Sequence, residues 1–82
     1  TMIARLNELH ESGVNTTKLM TGAMGLASET GELMELVKKT LWQGKPWNEE
    51  TSFHAFRELG DIIFYWMTMC QALGRNPMEV IE

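Results

Sequence analysis

The chain has 82 residues, a formal net charge of −4 at neutral pH and a hydrophobic share of 44%. A chain of this length forms one domain at most, and it buries only about 60% of the surface that its unfolded form exposes. The acidic balance argues against binding to a nucleic acid polymer, which requires a clustered basic surface. We therefore expect residues 1–82 to form a single domain that covers its surplus apolar surface by subunit association.

The sequence offers no membrane or export signal. Its longest stretch with almost no charge, residues 62–73, is well short of the roughly 20 apolar residues that a transmembrane helix requires. The first residues lack the basic, apolar and small-residue pattern of a secretory signal. The single cysteine, Cys70, excludes an intrachain disulfide and suits a reducing compartment. These features predict a cytoplasmic protein with no membrane partner.

Turn-forming residues divide the chain into helical segments, and no alternating strand pattern appears. A short first helix is predicted over about Met2–Glu11. The second helix is predicted from Thr17 or Lys18 to Trp42, with a threonine as its N-terminal cap. Gly44 follows as a residue that can adopt the left-handed stop conformation.

The third helix is predicted over Asn48–Leu73, with its first residue as the cap and Gly74 as the stop. Asn76 as a cap and Pro77 at the first helical position then predict an opening turn over Met78–Glu82. We expect this fourth helix to be truncated at the C-terminus.

These elements predict an all-α fold, with two long antiparallel helices and short flanking helices. The second half of the third helix carries apolar residues on every face, which is typical of a helix surrounded by others. One copy of the chain has too few helices to surround it. We therefore expect a four-helix-bundle unit completed by dimerisation, in a homodimer or a dimer-based homotetramer.

Two pairs of acidic residues are the main candidates for a functional site. Glu29 and Glu32 are three residues apart and emerge on one face of the second helix, and Glu58 and Asp61 repeat this spacing on the third. Both pairs lie on faces that are otherwise apolar, so we expect the four carboxylates to converge in the interior. Buried carboxylates must be protonated, paired with cations or bound to metal.

An all-oxygen ligand set without nearby His or Cys favours Mg²⁺, with Mn²⁺ as a substitute, and Mg²⁺ commonly binds substrate phosphates as well. The implied substrate is therefore a polyphosphate. The opposing interpretation is that glutamates at this spacing often occur on solvated helix faces. Gly31 and Gly60, each costly inside a helix, lie beside the acids and favour a site that needs close approach.

The residues around these pairs resemble the MazG-like all-α nucleoside triphosphate pyrophosphatases, whose signature is ExxE followed by ExxD on the neighbouring helix. The segments 25–32 (GLASETGE) and 58–65 (ELGDIIFY) are similar to the two motif helices of that family. The resemblance spans about residue 19 to the C-terminus. It implies Mg²⁺-dependent hydrolysis of a (deoxy)nucleoside triphosphate to the monophosphate and pyrophosphate, with all four acids as metal ligands and catalytic residues.

The chain departs from the family pattern in two places. Arg57 stands where many members have an acidic residue, and it could pair with an acid or contact a phosphate. Members commonly continue into a fourth helix whose Asn, Lys and Arg residues bind the triphosphate, and the sequence given ends before any could appear. A phosphoribosyl-ATP pyrophosphatase activity and a non-catalytic, cation-binding dimerisation module are the alternative functions.

Further candidates for substrate binding come from the region between the motifs. Lys39 could reach a phosphate or form an ion pair with Glu35 one turn away. Trp42 and Trp47 could stack on a base or cap the core. His54 has no partner at ligand spacing and is interpreted as a surface or interface residue. The preferred base and sugar are not specified by any of these residues.

Overall fold

The computed structural model describes residues 1–81, and side-chain surroundings through residue 79. It contains four helices and, within the described residues, no strand: α1 (Met2–Glu11), α2 (Thr16–Trp42), α3 (Glu49–Ala72) and α4 (Pro77–Ile81). The predicted all-α class is confirmed, while the predicted end of the fourth helix, Glu82, lies outside the described residues. No helix in the described part of the chain is both long enough and apolar enough to cross a membrane.

Asparagine side chains fix where the two long helices begin. The Asn15 side chain accepts a hydrogen bond of 3.0 Å from the backbone N–H of Lys18, so α2 starts at Thr16. The predicted threonine cap is therefore wrong, because the asparagine just before it satisfies the free N–H group of the first turn. At α3 the predicted cap is confirmed, since Asn48 accepts from the backbone N–H of Thr51 at 2.9 Å.

The C-terminal ends of both long helices use glycine as predicted. Gly44 follows α2 with φ +72° and Gly74 follows α3 with φ +70°, a left-handed conformation that a residue with a Cβ atom rarely adopts. In the first of these turns the backbone N–H of Lys45 donates to the carbonyl of Lys39 at 3.1 Å. The turn therefore folds back on the end of α2 and fixes the start of the connection to α3.

The helices α2 and α3 run antiparallel, with the start of α2 beside the end of α3. The backbone N–H of Asn15 donates to the carbonyl of Ala72 at 2.9 Å. Nearby, the Lys18 ammonium donates to the side-chain oxygen of Gln71 at 2.8 Å. These two bonds set the relative register of the long helices, so residues near their midpoints face one another.

Two glycines of α2 allow the long helices to approach closely. A Cβ atom at Gly25 would overlap the Tyr65 ring, and one at Gly22 would overlap the side chain of Met69. The close approach expected at Gly31 and Gly60 does not occur in the described part of the chain. Apart from the chain neighbours and the nearby backbone of the same helix, no atom there lies within 4 Å of the position of a Cβ atom at either glycine.

The chain exposes more surface than a compact monomer of its size, and many of its large apolar side chains are exposed. Its accessible surface is 6416 Å², whereas a compact protein of this size exposes about 5,000 Å². Its radius of gyration is 16.7 Å, against about 12 Å for a globular chain of this length. Large apolar side chains are exposed along one side of α3, here called the outer face of α3: Phe53, Phe56, Leu59, Ile63, Phe64 and Met67.

Candidate metal centre

Three of the four predicted acids meet between the long helices. Glu29 and Glu32 come from one face of α2, and Glu58 comes from the facing side of α3. One carboxylate oxygen from each lies within 4.8 Å of those of the other two. The spacing of three residues puts the α2 pair on one face, and the antiparallel register brings α3 opposite them. These three residues are here called the acid cluster.

Two oxygens of the acid cluster are buried without a partner. Glu58 is buried, with only 7% of its surface exposed, and Glu29 is half-buried. Among the residues that the structure describes, the Oε2 atoms of Glu29 and Glu58 have no hydrogen-bond partner. Native proteins rarely leave buried polar atoms unpaired, because such atoms lose their bonds to water without compensation. The cluster therefore contains two buried carboxylate oxygens that could accept a bond from a ligand.

The pKa values of two carboxyls move in opposite directions. A hydrogen bond with Glu58, then burial and the charges of Glu32, Glu58 and Asp61, raises the pKa of Glu29 from 4.5 to about 7. The pKa of Glu58 is lowered, chiefly because Glu29 donates a hydrogen bond to it and further because of Glu32 and His54, although burial opposes this. These opposite shifts indicate that, of the two carboxyls, Glu29 takes up a proton more readily as the pH falls towards neutrality.

His54 is a member of the site that the sequence interpretation missed. Its Nε2 lies 3.3 Å from Oε1 of Glu58, and its side chain is 57% exposed. The two residues are four apart on α3, a spacing that places side chains next to each other on a helix. That spacing is the signal in the sequence that connects His54 with Glu58. The predicted site paired Glu58 with Asp61 alone.

Asp61 lies at the edge of the site. It is exposed and is not one of the three residues whose oxygens meet. Its negative charge is nevertheless close enough to contribute to the raised pKa of Glu29. The structure therefore places the fourth expected ligand beside the acid cluster rather than inside it.

A cavity of about 350 Å³ adjoins the acid cluster and is here called the lysine cavity. It is lined by Glu32, Glu35, Leu36, Lys39, Lys45 and His54. The predicted substrate residue Lys39 therefore lies close to the site. Its alternative role is not observed, because no ion pair joins Lys39 to Glu35 in the described part of the chain.

The other three candidate substrate residues are on the surface. Trp42 is 70% exposed and Trp47 is 55% exposed, so neither indole caps the core of a single chain. Arg57 is exposed and forms no ion pair within residues 1–79. The structure thus leaves all three side chains accessible and brings none of them into the acid cluster.

The donor set of the acid cluster suits a hard divalent cation. All three groups offer carboxylate oxygens, which Mg²⁺ and Mn²⁺ prefer, and Zn²⁺ would favour Cys or His ligands. A cation at this place would satisfy both unpartnered oxygens and oppose the mutual repulsion of the acids. The residues present therefore fit the expected Mg²⁺, which Glu29, Glu32 and Glu58 would hold.

No protein-family model, curated protein or solved structure matches this chain. The resemblance to MazG-like pyrophosphatases therefore rests on the two acidic motifs and the residues around them. The acid cluster and the cavity beside it are the structural features that bear on function.

Proposed function

We propose that this protein is an Mg²⁺-dependent pyrophosphohydrolase that converts a (deoxy)nucleoside triphosphate to the monophosphate and pyrophosphate. The observation that carries the proposal is the convergence of Glu29, Glu32 and Glu58, with two buried oxygens that lack a partner. Glu58 is buried, Glu29 is half-buried and Glu32 is exposed, and carboxylates held this close with part of their surface buried are costly to ionise unless a cation neutralises them. The ExxE and ExxD spacing of the resembling family supports the same assignment.

The reaction requires a water oxygen to form a bond to the α-phosphorus. The bond from that phosphorus to the bridging oxygen breaks, and pyrophosphate leaves with the bonding electrons. Bound Mg²⁺ supplies charge neutralisation of the phosphates and lowers the pKa of water. The acids at 29, 32 and 58 would hold the ion, Asp61 would add negative charge beside it, and one of the glutamates would accept the proton that the water loses.

The proposed enzyme acts as a homo-oligomer, with a four-helix unit formed by two copies. The chain exposes about 1,400 Å² more surface than a compact monomer, and a standard interface buries about 800 Å² on each partner. The outer face of α3 is the apolar surface that a second copy would cover. A cytosolic location agrees with this assignment.

The test is to incubate the purified protein with Mg²⁺ and a panel of canonical and modified nucleoside triphosphates, and with phosphoribosyl-ATP, and to identify the products. We expect pyrophosphate and a monophosphate, with no turnover in EDTA. Release of orthophosphate instead would assign a different phosphohydrolase. Absence of turnover with every substrate, together with binding of Mg²⁺, would favour the cation-binding dimerisation module.

A pair of matched variants connects turnover to the acid cluster. Glu32→Gln removes one charge from the cluster, and we expect it to reduce pyrophosphate release at least 100-fold. Glu8→Gln makes the same chemical change at an exposed position on α1 and should leave turnover unchanged. Asp61→Asn is expected to act like Glu32→Gln, and full turnover in both would contradict the proposed site.

A further inference from the structure

The lysine cavity shares a wall with the acid cluster but differs from it in charge. Glu32 belongs to both, so a ligand in the cavity would lie next to the proposed metal. Besides Glu32, the cavity is lined by Lys39 and Lys45, together with Glu35, Leu36 and His54. The cavity thus places two lysine side chains next to the carboxylates of the proposed metal site.

Helix α2 and the turn after it determine where Lys39 and Lys45 lie. Lys39 is seven residues after Glu32, two helical turns along the same face of α2. The left-handed Gly44 reverses the chain, and the N–H of Lys45 then donates to the carbonyl of Lys39 at 3.1 Å. The turn is therefore anchored to the residue whose side chain lines the cavity.

The other end of the turn is held by α3. The hydroxyl of Thr51, a buried residue, donates to the carbonyl of Pro46 at 3.0 Å. Asn48 accepts from the backbone N–H of the same threonine. Lys45 is therefore carried by a short connection that is fixed on both sides, which reduces the entropy lost when its side chain binds a ligand.

Neither lysine is paired within the described residues. The two ion pairs found there are His54 with Glu58 and Arg75 with Glu79, so Lys39 and Lys45 keep their hydrogen-bond donors available. An ammonium group binds phosphate oxygens as a point charge with three donors. Two such groups facing one cavity suit a ligand with several negative charges.

We propose that the lysine cavity binds the pyrophosphate part of the substrate, with Lys39 and Lys45 as its ligands. This proposal rests on the proposed function, because it assigns the β and γ phosphates to one side of that site. The residues that line the cavity include no Phe, Tyr or Trp that could stack on a base. The nucleoside therefore lies on the other side of the acid cluster, and the pyrophosphate leaves towards the turn at Gly44.

The test is a calorimetric titration of the full chain with inorganic pyrophosphate in the presence of Mg²⁺. We expect Lys39→Gln and Lys45→Gln each to weaken pyrophosphate binding about tenfold, as for the loss of a bond to a charged group. The control is Lys38→Gln, which removes the same charge from an exposed position of α2 outside the cavity. Titration with Mg²⁺ alone should give the same affinity for the wild type and for the three variants.

Pyrophosphate binding that is unchanged in the double variant Lys39→Gln/Lys45→Gln would overturn the proposal. It would also be overturned if that variant lost affinity for a nucleoside monophosphate and kept it for pyrophosphate. These readouts do not depend on turnover. If the lysines bind pyrophosphate and no triphosphate is hydrolysed, the cavity assignment holds and the proposed function fails. If hydrolysis persists in the double variant with an unchanged KM, only the cavity assignment fails.

Discussion

The carboxylates of Glu29 and Glu58 meet across the contact between α2 and α3, and each keeps one buried oxygen without a hydrogen-bond partner. Apolar side chains at these two places would stabilise the helix pair without any desolvation of charge. The chain instead puts acids at the midpoint of its longest contact. Ionisable side chains at a helix contact where apolar ones would be more stable are typical of functional sites.

The raised pKa of Glu29 predicts how the metal-free protein responds to pH. Between pH 4.5 and about 7 the folded protein keeps a proton that the unfolded chain has lost, so the unfolding free energy falls as pH rises through this window. The lowered pKa of Glu58 acts below pH 4.5, where the unfolding free energy falls as pH falls. Urea denaturation in EDTA from pH 5 to 8 measures the slope.

The variant Glu29→Gln isolates this effect, because its amide does not titrate. Between pH 5 and 7, the slope of its unfolding free energy against pH should differ from that of the wild type by the equivalent of up to about one bound proton. The Glu8→Gln variant, altered at an exposed position on α1, should keep the wild-type slope. Identical slopes in all three proteins would show that Glu29 keeps an ordinary pKa.

Proton release provides a second prediction. A cation favours the ionised form of a carboxyl, so binding of Mg²⁺ should displace the proton of Glu29. With a pKa of about 7, this residue would release about half a proton for each binding event at pH 7 and almost none at pH 9. Calorimetry in two buffers with different ionisation enthalpies counts these protons. A count of zero at pH 7 would place the ion elsewhere.

The sequence predicted the helices well because their signals are local. Asn48, Gly44 and Gly74 act within one turn of the helix that they begin or end, and the structure confirms all three. The wrongly predicted cap at the start of α2 is also a local error, of only one or two residues. Asn15 and the threonines after it are all acceptable caps, and the choice between neighbouring candidates depends on which side chain reaches a free N–H group.

The site was less predictable, because it depends on contacts between helices. Spacing placed Glu29 and Glu32 on one face, but only the register of α2 against α3 decides that Glu58 joins them and that Asp61 remains exposed. The lysine cavity was harder still to predict. Lys45 reaches it through a turn whose conformation depends on several bonds across the chain.

The glycines of α2 give a matched pair of stability predictions. Gly25→Ala would press a methyl group into the Tyr65 ring, and we expect a loss of about 1–3 kcal/mol in the unfolding free energy. At Gly31 a Cβ atom meets nothing, so Gly31→Ala should gain about 0.5–1 kcal/mol from its better helix propensity. Urea denaturation at one protein concentration compares them, and equal effects of both would contradict the close contact at Gly25.

The outer face of α3 predicts that assembly depends on apolar contact. Ile63 lies within this surface and is 49% exposed. Ile63→Lys would put an ammonium group where a second copy is expected to pack, and burying such a charge without a partner is too costly to tolerate. We expect the variant to sediment as a monomer at concentrations where the wild type is a dimer or tetramer. Asn7→Lys adds the same charge at an exposed position of α1 and should keep the wild-type assembly.

Mg²⁺ binding and turnover of the Ile63→Lys variant show how assembly relates to the acid cluster. The acids at 29, 32 and 58 meet within one copy of the chain, so the monomeric Ile63→Lys variant should still bind Mg²⁺. Its turnover should nevertheless fall, because the proposed active unit needs the helices of two copies. An assembled Ile63→Lys variant would exclude the outer face of α3 as the interface. A monomer with full turnover would show that one copy holds the whole site.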